Sequence, residues 1–86
     1  MKYQIVVTKN AKKDIDKLDP QIQKRIKTKL VYFTSLPDPL SRATALKESE
    51  SGQYRWRVGV YRIIFDVDGN NIVLLKIRHR KVVYRK

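Results

Sequence analysis

Tyr54-Arg55-Trp56-Arg57-Val58-Gly59-Val60-Tyr61-Arg62-Ile63-Ile64-Phe65 is the stretch whose pattern decides the fold. Its first five residues alternate. Tyr54, Trp56 and Val58 share one parity and Arg55 and Arg57 the other, so a strand here turns aromatics to a core and arginines away from it. Gly59 interrupts the run and permits a tight turn or bulge. Alternation resumes with Tyr61, Ile63, Phe65 and Val67 set against Val60, Arg62, Ile64 and Asp66. With the aromatics facing helices, Arg62 falls on the same face as Arg55 and Arg57. Downstream, Asp68-Gly69-Asn70-Asn71 is a hairpin turn. Residues 72–77 are almost continuously apolar, the pattern of a central strand buried on both faces. Residues 78–86 are basic, interrupted by Val82, Val83 and Tyr84.

Upstream the period changes. Residues 3–7 are a short β-branched apolar run and predict a first strand. Thr8 is placed to cap a helix. Ala11, Ile15 and Leu18 form one apolar stripe, with Lys12, Lys13, Asp14, Asp16 and Lys17 on the solvated side. Asp19-Pro20 ends that helix and begins another, with Asp as cap and Pro at the first helical position. Ile22, Ile26, Leu30 and Phe33 make the second stripe, and Pro37 and Pro39 stop it. Residues 35–53 are a polar connection with one possible short strand at 43–46. The expected class is α+β in the order β-α-α-β-β-β: an N-terminal helical hairpin packed on one face of a mostly antiparallel twisted sheet. The 86 residues form one domain, 1–86, with neither repeat nor linker.

Composition narrows the chemistry. Lys and Arg number 20 and Asp and Glu 8, for a net charge of +12. The excess is spread evenly: residues 1–42 and 43–86 each hold 10 basic and 4 acidic residues. Such a charge predicts a polyanionic or acidic partner. No cysteine is present, which removes disulfides, thiolate metal sites and a thiol nucleophile. A single histidine cannot build a multi-histidine metal site. Ile5-Val6-Val7 is too short for a signal-peptide core, and no run is long enough to span a bilayer, so a cytoplasmic location is expected.

Arginines gathered on a sheet face suit a phosphodiester backbone and the extra charge of its phosphorane-like transition state. Arg55, Arg57 and Arg62 are the first candidates. Arg78 and Arg80 share a parity at the end of the last strand, and Lys81 adds to the cluster. His79 is a candidate for proton transfer, because imidazole titrates near neutrality. Tyr84 can stack on an exposed base. Acidic pairs, Gly-rich phosphate loops and Ser-His-Asp order are absent from the sequence, so no cofactor or metal is implied.

The segment quoted first, followed by Ile77-Arg78-His79-Arg80-Lys81-Val82-Val83-Tyr84, resembles the RelE/ParE toxin superfamily, and the resemblance runs over essentially the whole chain. It is closer to the RelE branch, the mRNA interferases that cut message in the ribosomal A site without a metal. What the resemblance implies is attack by an RNA 2′-hydroxyl on its own phosphodiester, leaving a 2′,3′-cyclic phosphate and a 5′-hydroxyl. By position, Arg62 matches the arginine that stabilises the transition state. Arg80 matches the one that contacts the scissile phosphate, and Tyr84 the tyrosine that orients a base. His79 stands where other members carry a proton-transferring histidine. Arg55 and Arg57 replace two lysines found in some members. They can hold phosphate, as can Arg78 and Lys81, but a guanidinium does not act as a base. The resemblance further implies a RelB-like antitoxin and the ribosome with its mRNA as partners. Two other functions fit the fold: a ParE-like inhibitor of DNA gyrase, and a non-catalytic RNA- or ribosome-binding module.

Overall fold

Two tight turns organise the sheet. Gly59 and Gly69 both have positive φ, and no other residue type does among the described residues. Each is the first of two residues joining strands that end at Val58 and Asp68, the sign pattern of a type II′ hairpin turn. The computed structural model describes residues 3–47 and 52–79. Its strands are β1 (Gln4–Val7), β2 (Thr44–Ala45), β3 (Tyr54–Val58), β4 (Tyr61–Asp68) and β5 (Asn71–His79), and its helices α1 (Lys9–Asp16) and α2 (Pro20–Ser35). A 3-10 turn covers Pro39–Arg42.

The sheet order is β1-β5-β4-β3-β2, with β1 parallel to β5 and every other pair antiparallel. The α+β expectation holds. The apolar run of β5 predicts a central strand buried on both faces; β5 is an interior strand between β1 and β4, but β4 is the middle one, and β5 is buried on one face only, through Ile72, Leu74 and Ile77, with Val73 and Leu75 half-buried. It is longer than that run and carries Arg78 and His79 as strand residues.

The hairpin follows its stripes. Ala11, Ile26 and Phe33 are buried, and Ile15, Leu18, Ile22 and Leu30 pack partly buried around them. Thr8 caps α1 as expected, its Oγ1 accepting the Ala11 N–H at 3.2 Å. Asp19 occupies the cap position of α2 but makes no side-chain cap bond, and Pro20 alone marks that start. The core is an aromatic stack: Phe33 lies on Trp56 at 4.6 Å and Trp56 on Phe65 at 4.1 Å. The buried indole N–H donates to the Pro39 carbonyl at 3.2 Å, which ties the 3-10 turn to the sheet.

One irregularity sets the phase of β5. Ile64 pairs with Lys76 but Phe65 pairs with Leu74, so Leu75 is a bulge residue. Ile72 and Leu74 are fully buried before it and Ile77 is buried after it, a shift of one residue in the alternation. Without the bulge, Lys76 and Arg78 would share the helix-side parity of Ile72 and Leu74.

Candidate nucleic-acid interface

The register brings the predicted arginines together. Arg57 is paired with Arg62, and Arg62 with Arg78, forming a row across three strands on the face away from the helices. The next row is Arg55, Ile64 and Lys76. Neighbouring strands lie ~4.8 Å apart, so five cationic side chains occupy two adjacent rows. Like charges facing each other across a sheet are destabilising, which an anionic ligand relieves. Lys76 is a member the sequence reading missed. Its position in a run of Val, Leu and Ile hid it, and only the bulge turns it to this side.

Arg62 differs from its neighbours. It is 3% exposed, whereas Arg57 is exposed and Arg78 half-buried. The face expected to be open is therefore partly closed. A Cβ built on Gly52 would sit 2.4 Å from Ile64 Cγ2 and 3.3 Å from Leu75 Cδ1, so the bend leading into β3 lies against this face. Asp66 fixes it by accepting the Gln53 N–H at 2.9 Å, and Gln53 Oε1 accepts the Val67 N–H at 2.9 Å. A buried guanidinium between two accessible ones is held in place before any ligand arrives, the arrangement that electrostatic catalysis favours.

His79 is not in this row. It pairs with Tyr61, and their rings meet edge to face at 5.3 Å on the helix-side parity at the end of β5. Arg25 of α2 reaches the same end of the sheet. Its guanidinium lies 3.6 Å from where a Cβ of Gly59 would be, a cation that helical periodicity alone does not direct there. Arg80, Lys81 and Tyr84 lie outside the described residues.

Arg78 is tethered from behind. Asp14 Oδ2 accepts its Nη1 at 3.4 Å and the backbone N–H of Ile77 at 2.9 Å. The expectation of a solvated Asp14 is corrected by this contact, since α1 runs along the edge of β5 beyond the end of β1.

The helical side of the molecule carries an apolar groove. It has a volume of about 660 Å³ and runs between β1 and α2, lined by Ile5, Val7, Ile15, Leu30 and Val31, with Lys24 and Lys27 also on its wall. Val7 and Val31 are exposed. No helix among the described residues is long and apolar enough to cross a membrane.

A model of the ParE toxin of type II toxin-antitoxin systems, parDE, matches residues 5–84. The chain belongs to this toxin family. Its membership of the wider RelE/ParE superfamily, expected from the arginine-rich strands, is borne out by its relatives. Toxin RelG of Mycobacterium tuberculosis (strain ATCC 25618 / H37Rv) is 27% identical over 88 residues, covering 100% of both chains. A chain of the toxin-antitoxin complex RelBE2 from the same species superposes with a TM-score of 0.72 at 27% identity, over 93% of this chain and 100% of that one. A chain of the RelB-RelE antitoxin-toxin complex of Methanococcus jannaschii gives 0.67 at 29% identity, over 92% and 94%. This ParE-family toxin thus shares its fold with toxins solved in complex with antitoxins.

Proposed function

We propose that this toxin is a ribosome-dependent, metal-independent endoribonuclease that cleaves mRNA in the A site and so inhibits translation. The row Arg57–Arg62–Arg78 carries the reading. An RNA phosphodiester laid across the row meets an accessible cation on each side and a buried one at its centre. The 2′-oxygen attacks phosphorus as it loses its proton, and the P–O5′ bond breaks as the departing oxygen gains one. The products are a 2′,3′-cyclic phosphate and a 5′-hydroxyl, with no water consumed. Arg62 carries the negative charge that accumulates on the non-bridging oxygens, and Arg57 and Arg78 orient the strand. Arg55, Lys76 and Lys81 extend the phosphate track.

The proton transfer falls to His79, which follows Arg78 at the end of β5 with the opposite parity, so in this reading the scissile group lies where the row meets that strand end. Arg80 completes the contacts to the scissile group and Tyr84 stacks on a base. A RelB-like antitoxin holds the toxin inactive, and the groove between β1 and α2 receives its apolar segment, with acidic residues facing Lys24 and Lys27.

A second reading rests on the family match itself, which is to a ParE toxin: inhibition of DNA gyrase without RNA cleavage. Incubating the purified toxin with programmed ribosomes, and separately with gyrase and supercoiled DNA, tests the two. The ribonuclease reading expects cut message and unaffected supercoiling. Intact message with inhibited gyrase would reverse the choice.

A further inference from the structure

The reaction proposed above needs the Arg57–Arg62–Arg78 row held at a fixed spacing, and α1 is built against the strand that supplies its last member. Three side chains of the α1 region serve successive backbone groups of β5. Thr8 Oγ1 donates to the Leu74 carbonyl at 2.8 Å, Asn10 Nδ2 donates to the Leu75 carbonyl at 3.1 Å, and Asp14 Oδ2 accepts from Ile77 N–H at 2.9 Å. The bulge that turns Lys76 and Arg78 to the cationic face is thus pinned from the side by α1. Asp14 goes one contact further, because the same Oδ2 meets Arg78 Nη1 at 3.4 Å.

The Asp14 side chain is 17% exposed and that of Arg78 37%, so the carboxylate sits behind a guanidinium that still reaches solvent. Opposite Arg78 on the next strand stands Arg62. Asp14 approaches β5 from the side opposite Arg62, so its bond sets the Arg78 guanidinium at the outer edge of the row, where an unanchored arginine on a flexible stem would sample many positions. A carboxylate bonded to the backbone of the preceding residue sets the position of that stem.

We infer that Asp14 is a positioning residue: it fixes the Arg78 guanidinium at the outer edge of β5, across the strand from Arg62, so that the Arg57–Arg62–Arg78 row meets a phosphodiester at a set width. The inference rests on the ribonuclease reading for its consequence, but the ordering of Arg78 is measurable without it.

The sign of the expected effect separates positioning from bulk electrostatics. Asp14→Asn keeps an oxygen to accept the Ile77 N–H and removes one negative charge. Charge alone predicts tighter RNA binding and no loss of rate. Positioning predicts that RNA binding is retained or tightened while cleavage by the saturated ribosome complex slows about tenfold, because misplaced contacts cost rate. Arg78→Gln slows cleavage as well, and adding Asp14→Asn to it has no further effect, since the residue through which Asp14 acts is gone. Alongside the rates, the order parameter of the Arg78 Nε–Hε group by NMR falls in Asp14→Asn while the Ile77 amide keeps its exchange protection. An unchanged saturated rate in Asp14→Asn, an equal slowing in the Arg78→Gln background, or an unchanged Arg78 order parameter would overturn the assignment. If the unmodified toxin leaves mRNA intact on ribosomes, the ribonuclease reading fails, and the NMR comparison by itself decides whether Asp14 orders Arg78.

Discussion

Arg62 and His79 illustrate how differently neighbouring strand positions are used. Arg62 is flanked by cations and buried, and His79 leans on Tyr61 on the other side of the sheet. The parity of Arg62 was readable from the alternation of residues 54–65. That of His79 was not, because the bulge at Leu75 shifts the phase of β5 ahead of it, and neither was the burial of Arg62. Nor was the cover over the next row, where Gly52 is placed against Ile64 and Leu75: a glycine in a polar connection gives no sign of what it touches. Gly52→Ala forces a methyl into the Ile64 side chain, an overpacking that costs ~1–3 kcal/mol. For a domain of this size the melting temperature falls by several degrees, and a variant that melts with the wild type would show that the connection can step aside. His79 gives the matching chemical prediction. If it moves a proton, His79→Gln slows single-turnover cleavage and flattens its pH dependence near neutrality, while ribosome affinity persists. A pH–rate profile identical to the wild type would remove His79 from the reaction.

At the scale of elements, the helical hairpin and the two glycine turns were legible because each is local: a stripe, a cap, or a residue needing positive φ. The bulge at Leu75 was not, because Val73, Leu74, Leu75 and Ile77 are interchangeable in hydropathy and conceal a shift of phase among them. Nor was the role of α1. Asn10 and Asp14 look like solvated helix positions, yet the helix stands in for a neighbouring strand where β1 ends and β5 continues. Thr8 joins both functions, capping α1 and donating to the Leu74 carbonyl. Thr8→Ala loses the cap, ~1 kcal/mol, and also the bond to β5. The melting temperature therefore falls more than for a cap alone, and the amides of residues 75–78 exchange faster. Uniform exchange across β5 would show that α1 does not pin the bulge.

The whole molecule presents two distinct surfaces. One is a cationic sheet face and the other an apolar groove beside basic residues, and the net charge of +12 favours acidic partners at both. Surface charge was evident from composition, but the groove was not, since it arises from how β1 and α2 sit together. Val31→Glu puts a carboxylate on an exposed groove position without touching the arginine row. Antitoxin binding is expected to weaken about tenfold through like-charge repulsion, with free-toxin cleavage unchanged. Equal antitoxin affinity for variant and wild type would place the docking surface elsewhere.

The central claim is that Arg62, fixed between Arg57 and Arg78, stabilises the transition state of RNA cleavage. Its most direct test is 5′-end mapping of a defined mRNA on programmed ribosomes with the wild-type toxin and with Arg62→Ala. One donor aimed at a developing charge is commonly worth ~3–4 kcal/mol. The account predicts cuts at a fixed codon phase bearing 5′-hydroxyl ends, and in Arg62→Ala a cleavage rate lower by about two to three orders of magnitude at unchanged ribosome occupancy. Cleavage at the wild-type rate by Arg62→Ala, or message left whole by the wild-type toxin on occupied ribosomes, would contradict it.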